Sequence, residues 1–135
     1  MTRSIVITGA SKGIGWATAK ALATAGWDVI GVARHAPASF PGQFVSADLS
    51  DPERTAELAS SLAKSGNVLG IVNNVGIAKH ERFECVNFAG FSTIMDLNIR
   101  PVLGLTQALL AGMRNARFGR IVRNRALESP GRAWR

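Results

Sequence analysis

The chain has 135 residues, of which 47% are apolar and 19% are charged. This composition suits one globular domain and argues against extensive disorder. The single cysteine, Cys85, excludes an intrachain disulfide and a multi-cysteine metal site, so we expect no bound metal. No apolar run approaches the ~20 residues that cross a bilayer, and the N-terminus lacks the features of a signal peptide. We therefore expect a cytoplasmic protein with no membrane partner.

The formal net charge of +7 is concentrated at one end of the chain. Residues 1–113 carry nine basic and eight acidic side chains, whereas residues 114–135 carry seven arginines and one glutamate. Only Phe118 and Trp134 interleave with these arginines, which does not indicate a platform for stacking bases. We interpret residues 123–135 as an irregular basic tail and expect no nucleic-acid partner.

The first half of the chain alternates short apolar runs with a helical pattern. Strands are predicted over residues 4–8, 29–32 and, weakly, 44–45. A helix is predicted over residues 13–25, and residues 34–42, with two prolines and a glycine, predict an irregular loop. The expected inward stripe of that helix is Ile14, Ala17, Ala21, Leu22 and Ala25.

The second half continues the alternation. Ser50 and Glu53 form a capping box that predicts a helix from there to about Lys64. Strands are predicted over 68–72 and 119–122, and a helical stretch over 87–116 is predicted to be interrupted near Pro101. Apolar strands that alternate with helices indicate a parallel sheet covered on both faces, which is a doubly wound α/β fold.

The turn between the first strand and the first helix reads Thr-Gly-Ala-Ser-Lys-Gly-Ile-Gly over residues 8–15. A turn in this position points backbone N–H groups and the positive end of a helix at a ligand. Glycines let a phosphate group approach the backbone closely. The spacing matches neither G-x-G-x-x-G nor the P-loop pattern, so a P-loop nucleotidase is disfavoured.

This turn matches the T-G-x-x-x-G-x-G motif, and the chain therefore resembles the short-chain dehydrogenase/reductases. Three further segments resemble motifs of that family, namely Asp48-Leu49, Asn73-Asn74-Val75-Gly76 and the region of Asn98. The resemblance implies a Rossmann-like sheet of order 3-2-1-4-5. It implies that Asn98 is catalytic. The implied cofactor-binding residues are Thr8, Gly9, Ser11, Lys12, Gly13, Ile14, Gly15, Arg34, Asp48, Leu49, Asn74, Val75 and Gly76.

The residue after the second strand indicates which nicotinamide cofactor is used. An acidic side chain there binds the ribose 2′-hydroxyl of NAD, whereas a basic one accommodates the 2′-phosphate of NADP. This chain has Arg34 there, and Lys12 adds a second positive charge in the first turn. We predict that NADP(H) is preferred over NAD(H).

The resemblance implies an activity that this sequence cannot complete. The family reduces carbonyls or oxidises secondary alcohols by hydride transfer, using a tyrosine of a Y-x-x-x-K segment as proton donor. The chain has no tyrosine and no lysine after Lys79, and Ser129 is its only serine beyond the fifth strand. The leading interpretation is an NADP(H)-dependent oxidoreductase of this type that is catalytically incomplete. The alternatives are a non-catalytic dinucleotide-binding or sensing module, or an interaction protein that uses the sheet edge and the basic tail.

The resemblance also predicts that the domain, residues 1–122, is truncated after the fifth strand. In complete relatives the substrate is a small carbonyl or alcohol. The helix over 102–116 often packs against another subunit in the family, so we expect homo-oligomerisation. One hypothesis for the abrupt change at residue 123 is a shift of reading frame, which the coding DNA would decide. We expect Phe83, Phe88 and Phe91 to pack in the core.

Overall fold

The computed structural model describes residues 2–79 and 81–124. Its five strands are β1 Ser4–Thr8, β2 Asp28–Ala33, β3 Gln43–Ser46, β4 Val68–Asn73 and β5 Arg120–Arg123. Its helices are α1 Gly13–Thr24, α2 Pro52–Ser65, α3 Phe88–Asn98 and α4 Arg100–Asn115, with a 3₁₀ turn at Phe83–Cys85. The strands form one parallel sheet of order β3-β2-β1-β4-β5. The Rossmann-like fold class and the strand order are therefore confirmed.

The central strands are buried on both faces, which explains their apolar character. On one face Val6 and Ile71 pack with Leu62 of α2 and Leu105 of α4. On the other face Ile5, Ile7, Val29 and Val72 pack with Ala19 of α1. No helix within the described ranges is long and apolar enough to cross a membrane.

Helix α1 lies on the sheet through small side chains. Its buried residues are Gly15 and Ala19, while Ile14 is 66% exposed. The expected inward stripe is wrong, because only Leu22 of that set is even half-buried. A Cβ at Gly15 would lie 2.2 Å from the Gly9 carbonyl oxygen, so close approach of the helix to the turn, rather than side-chain size, selects the inward face.

The start of α2 differs from the capping box read from the sequence. Asp51, not Ser50, is the N-cap residue, and its carboxylate accepts hydrogen bonds from the N–H groups of Glu53 and Arg54 at 2.9 and 3.2 Å. Pro52 occupies the first turn, where its missing N–H costs nothing. Ser50 and Asp51 can both cap a helix, and in this structure Asp51, directly before Pro52, is the residue that does so.

The break in the long helical stretch is confirmed. α3 ends at Asn98 and α4 begins at Arg100, because Pro101 cannot donate a backbone hydrogen bond.

The expectation that Phe83, Phe88 and Phe91 pack in the core is wrong, since these side chains are 91%, 91% and 53% exposed. Helix α3 contributes no buried residue, and no element within the described residues covers its aromatic side chains.

Strand β5 continues one residue beyond the expected domain end at 122, because Arg123 pairs with Asn73 of β4. The expected basic tail, apart from Arg123 and Asn124, lies outside the described residues, as does Ser129.

Candidate functional site

The carboxyl ends of the parallel strands meet at one edge of the sheet. Thr8 ends β1, Arg34 follows β2, Asn74 follows β4 and Asn124 follows β5. The neighbours of β1 are β2 and β4, so the chain changes direction across the sheet at the end of β1. Doubly wound folds bind their ligands in the crevice at such a point.

The glycine-rich turn exposes backbone to this crevice. Gly9 and Gly13 have φ values of +65° and +59°, which side chains other than glycine rarely adopt. A Cβ at Gly13 would meet no atom within 4 Å, so a ligand can approach this backbone. The N-cap residue of α1, Lys12, makes no capping hydrogen bond through its side chain. The first N–H groups of α1 are therefore placed to bind an anion such as a pyrophosphate.

Thr8 joins the turn to the end of β4. Its buried hydroxyl accepts hydrogen bonds from the N–H groups of Asn74 and Val75, both at 3.0 Å. It also donates towards the carbonyl oxygen of Val72 at 3.5 Å. The Asn74 side-chain amide donates to the carbonyl oxygen of Gly9 at 3.0 Å. The two loops that border the crevice are thus held at a fixed separation.

Gly15 is the residue that allows this arrangement. A Cβ on it would lie 2.2 Å from the Gly9 oxygen and 2.6 Å from the Asn74 side-chain nitrogen. Both atoms belong to the hydrogen bond that closes the turn, so neither can move without breaking it. Ser11 and Ile14 lie in the same turn, with Ser11 half-buried and Ile14 exposed beside the crevice.

Charged side chains lie beyond the ends of β2 and β3. Arg34 is exposed directly after β2. The hydroxyl and the N–H group of Ser50 donate to the Asp48 carboxylate at 2.6 and 3.0 Å. These hydrogen bonds, with a smaller contribution from the positive charge of Arg34, hold the pKa of Asp48 below its ordinary value. Leu49 is 4% exposed within the core, so only its backbone can contact a ligand.

Asn98 binds the segment that follows β4. Its side-chain oxygen accepts from the N–H of Ile77, and its amide donates to the carbonyl oxygen of Ile77, each at 2.7 Å. A Cβ at Gly76 would lie 3.1 Å from the Asn98 oxygen. Asn98 therefore holds the backbone of residues 76 and 77 in place, which gives it a positioning role in addition to the one implied by resemblance.

Asn124 is a site residue that sequence reasoning missed. Its N–H donates to the carbonyl oxygen of Asn73 at 3.0 Å, and its side-chain amide donates to the Asn74 side-chain oxygen at 2.8 Å. Its sequence position predicted that it belongs to the basic tail of residues 123–135. The signal that could have found it is its position directly after β5, because the strands of a parallel sheet end at a common edge.

Within residues 2–79 and 81–124, no group of three His, Cys, Asp or Glu side chains could hold a metal ion. The polar groups of the crevice are hydroxyl, amide and backbone N–H groups with nearby positive charges. That set suits an anionic organic cofactor better than a cation.

Comparison with known proteins agrees with this geometry. The family model described as short chain dehydrogenase matches residues 3–126. The 3-oxoacyl-(acyl-carrier-protein) reductase FabG of Vibrio cholerae is 31% identical over an alignment of 126 residues, and the match covers 87% of this chain and 52% of that protein. The L-xylulose reductase of Mesocricetus auratus is 35% identical over an alignment of 118 residues, and the match covers 82% of this chain and 47% of that protein.

A solved structure shares the fold. It is described as an NAD(P)-dependent gluconate 5-dehydrogenase from Beutenbergia cavernae with NADP bound at low occupancy, and it superposes with a TM-score of 0.81 at 31% identity. The match covers 90% of this chain and 53% of that one. The chain thus spans about half the length of the relatives it matches. With its glycine-rich turn, sheet order and matched residues 3–126, the chain belongs to the short-chain dehydrogenase family.

Proposed function

We propose that this chain binds a nicotinamide dinucleotide in the crevice at the end of β1 and prefers NADP(H). It would be the cofactor-binding part of an oxidoreductase that reduces small carbonyls or oxidises small alcohols. The observation that carries the proposal is the open backbone at Gly13, next to the uncapped N-terminus of α1. A pyrophosphate fits this combination because its charge offsets the unpaired N–H groups.

The proposed contacts follow the strand ends. The turn of residues 9–15, including Ser11, would take the pyrophosphate. Asp48 and the backbone of Leu49 would lie near the adenine. Residues 74–76 would border the nicotinamide ribose, with Asn98 holding their backbone. The cofactor, when bound, supplies or accepts a hydride.

Arg34 and Lys12 support the preference for NADP(H). Both side chains are exposed, so neither is sequestered from a ligand in the crevice. A guanidinium can bind a 2′-phosphate with two parallel hydrogen bonds. The relative from Beutenbergia cavernae was solved with NADP bound at low occupancy, which agrees with this choice. Asp48 keeps a negative charge near Arg34. This charge would reduce the affinity that Arg34 adds by binding the 2′-phosphate.

We further propose that the chain alone does not turn over substrate. Transfer of a hydride to a carbonyl requires a proton donor for the developing alkoxide. The family uses a tyrosine there, and this sequence contains none. Asn98 is the one family catalytic residue with a counterpart among the described residues.

Calorimetric titration of the full chain with NADPH and NADH tests the binding proposal. We expect NADPH to bind at least about tenfold more tightly, which corresponds to about 1.4 kcal/mol. Arg34→Asp should reverse the order, whereas Arg82→Asp, an equal charge change in the 3₁₀ region, should not. Equal affinities in the unmodified chain would contradict the preference, and the absence of binding would refute the proposal as a whole.

A turnover assay tests the catalytic part separately. The chain is mixed with NADPH and a panel of small ketones, and NADPH absorbance is followed. No oxidation above the protein-free rate is expected, and sustained oxidation would overturn the proposed incompleteness.

Because the sequence lacks tyrosine, a second candidate is a non-catalytic dinucleotide sensor. Both proposals expect saturable binding of NADPH without turnover, and a change in protease resistance on NADPH binding would be the result that distinguishes the sensor.

A further inference from the structure

The connection between β2 and β3 is unusually short. The two strands are parallel, and only residues 34–42, which contain no helix, connect them. Parallel strands usually need a dozen or more residues, often with a helix, for such a connection. We call residues 34–42 the crossover loop. It lies over β2 on the α1 face of the sheet, where Phe40 packs against the cluster that includes Ile7 and Val29.

Phe40 fixes the second half of the crossover loop to the sheet. A Cβ at Gly31 of β2 would overlap the Phe40 ring, so this ring lies directly on the backbone of the strand. Phe40 also meets Phe44 of β3 edge to face, with the ring centroids 5.1 Å apart, which is a favourable arrangement of two aromatic rings. The absence of a side chain at Gly31 thus provides the space in which the loop packs.

Trp16 fixes Ser39 of the same loop to the start of α1. Its indole N–H donates to the carbonyl oxygen of Ser39 at 3.1 Å, and its side chain is half-buried. The ammonium nitrogen of Lys20 lies 5.7 Å from the centroid of the Trp16 ring, which is within the range of a cation–π contact. Within residues 2–79 and 81–124, no other side-chain hydrogen bond involves the crossover loop. Trp16 is therefore the side chain that joins this loop to the helix of the glycine-rich turn.

Arg34 lies at the other end of the crossover loop. The carbonyl oxygen of Ala33, directly before it, accepts a hydrogen bond from the N–H group of Ala47 at 2.9 Å. The positive charge of Arg34 contributes to the lowered pKa of Asp48, so this charge acts at the carboxyl ends of β2 and β3. The backbone that carries Arg34 is thus a short span between two held points, Ala33 and Ser39.

A span that is held at both ends costs less to order than a free one. A mobile loop loses conformational freedom when a ligand fixes it, and that loss reduces the affinity. A guanidinium that binds a phosphate through two parallel hydrogen bonds also depends on its orientation. Release of Ser39 would therefore weaken the binding of a phosphate to Arg34 without removing any group that contacts the phosphate.

We propose that Trp16 is a positioning residue for the 2′-phosphate of NADP(H). Its indole N–H holds the crossover loop through Ser39, so that Arg34 is kept beside the crevice before the ligand binds. This role rests on the proposed preference for NADP(H) and names the part of the chain that enforces it. Trp16 need not touch the cofactor, since it acts on Arg34 through the backbone of the loop.

Calorimetric titration of the full chain with adenosine 2′,5′-bisphosphate and with adenosine 5′-monophosphate tests this role, since the two probes differ only in the 2′-phosphate. We expect the bisphosphate to bind the original chain at least about tenfold more tightly. Trp16→Phe keeps an aromatic ring but loses the N–H donor. It should reduce that ratio at least about fivefold, with little change in the affinity for the monophosphate. Trp27→Phe is the matched control, because Trp27 precedes β2 at the end opposite to the crossover loop, and it should retain the ratio.

Trypsin measures the anchoring of the loop without any ligand. The bond between Arg34 and His35 is a trypsin site within the crossover loop, and cleavage of a folded protein requires local release of the backbone. We expect cleavage at this bond, followed by mass spectrometry, to accelerate at least about fivefold in Trp16→Phe. It should stay unchanged in Trp27→Phe. Unchanged cleavage in Trp16→Phe would overturn the proposed role.

The titrations also separate the role of Trp16 from the proposed function. A preference for the bisphosphate that Trp16→Phe retains would overturn the role of Trp16 and leave the NADP(H) preference standing. Equal affinities of the original chain for the two probes would contradict the NADP(H) preference, and the role of Trp16 with it. An equal fall of the ratio in Trp16→Phe and Trp27→Phe would assign the effect to a general loss of stability and would also overturn the role.

Discussion

The side-chain amide of Asn124 donates a 2.8 Å hydrogen bond to the side-chain oxygen of Asn74. Asn74 in turn donates to the carbonyl oxygen of Gly9 at 3.0 Å. The end of β5 is therefore connected to the glycine-rich turn through one asparagine. Because an amide offers a donor and an acceptor on separate atoms, Asn74 can make both contacts at once.

Removal of this connection should loosen the turn. Asn124→Ala deletes the donor to Asn74, and we expect a loss of about 1 kcal/mol in the free energy of unfolding. Dinucleotide affinity should fall about fivefold, because the turn then has to be ordered on binding. Chemical denaturation and calorimetric titration measure the two effects. Asn115→Ala, at the exposed end of α4, is the matched control, and an equal loss there would show that the effect is not specific to the site.

Substitution of Thr8 should lower the free energy of unfolding through the loss of its hydroxyl group rather than through a loss of side-chain volume. Thr8→Val keeps the shape but leaves the N–H groups of Asn74 and Val75 without their acceptor. An unsatisfied buried donor costs about 1–3 kcal/mol, so we expect a destabilisation of at least about 2 kcal/mol. Thr8→Ser keeps the acceptor and should cost clearly less. Urea denaturation compares them, and equal losses would assign the effect to packing.

Gly15→Ala should be among the most damaging single-methyl changes in the chain. The new Cβ would lie 2.2 Å from the Gly9 oxygen, and an overpacked contact of this kind costs about 1–3 kcal/mol. Dinucleotide binding should fall at least tenfold, since the turn must open to relieve the contact. Gly104→Ala in α4, where a Cβ meets nothing within 4 Å, should instead be neutral or stabilise the helix by up to about 1 kcal/mol.

The Asp48 carboxylate should give the protein a small acid-sensitive contribution to stability. Its pKa is lowered in the folded chain, first by the Ser50 hydroxyl. The contribution is therefore complete above about pH 4 and is lost as the pH falls through the lowered pKa. Since the side chain is exposed, we expect less than about 1 kcal/mol.

Denaturation curves at pH 6 and pH 2.5 check this sign. Asp48→Asn should be less stable than the original chain at pH 6, and the difference should shrink as the pH falls to 2.5. Ser50→Ala should reproduce most of the difference, because it removes the strongest of the interactions that lower the pKa of Asp48. A gap between the original chain and Asp48→Asn that is as large at pH 2.5 as at pH 6 would contradict the assignment to ionisation.

The family resemblance predicted the strand order, and the glycine-rich turn between a strand and a helix predicted the place of the crevice. Apolar β-branched runs define β1 and β4, and a glycine-rich turn before a helix has few alternatives. The sequence did not predict which face of α1 is buried, since that depends on the contact between Gly15 and Gly9 across the turn. The exposure of Phe83 likewise depends on which other elements of the fold pack against it, and a local sequence pattern does not contain that information.

The pair of hydrogen bonds between Asn98 and Ile77 permits a test that separates positioning from a contact with substrate. Asn98→Asp keeps the acceptor for the Ile77 N–H and loses the donor to the Ile77 carbonyl oxygen, whereas Asn98→Ala loses both. We expect hydrogen exchange at the Ile77 amide to accelerate about fivefold or more in Asn98→Ala and little in Asn98→Asp, because the N–H keeps its partner only in the latter. Dinucleotide affinity should follow the same order, since residues 76 and 77 border the crevice. Unchanged exchange in Asn98→Ala would show that the segment is held by other contacts.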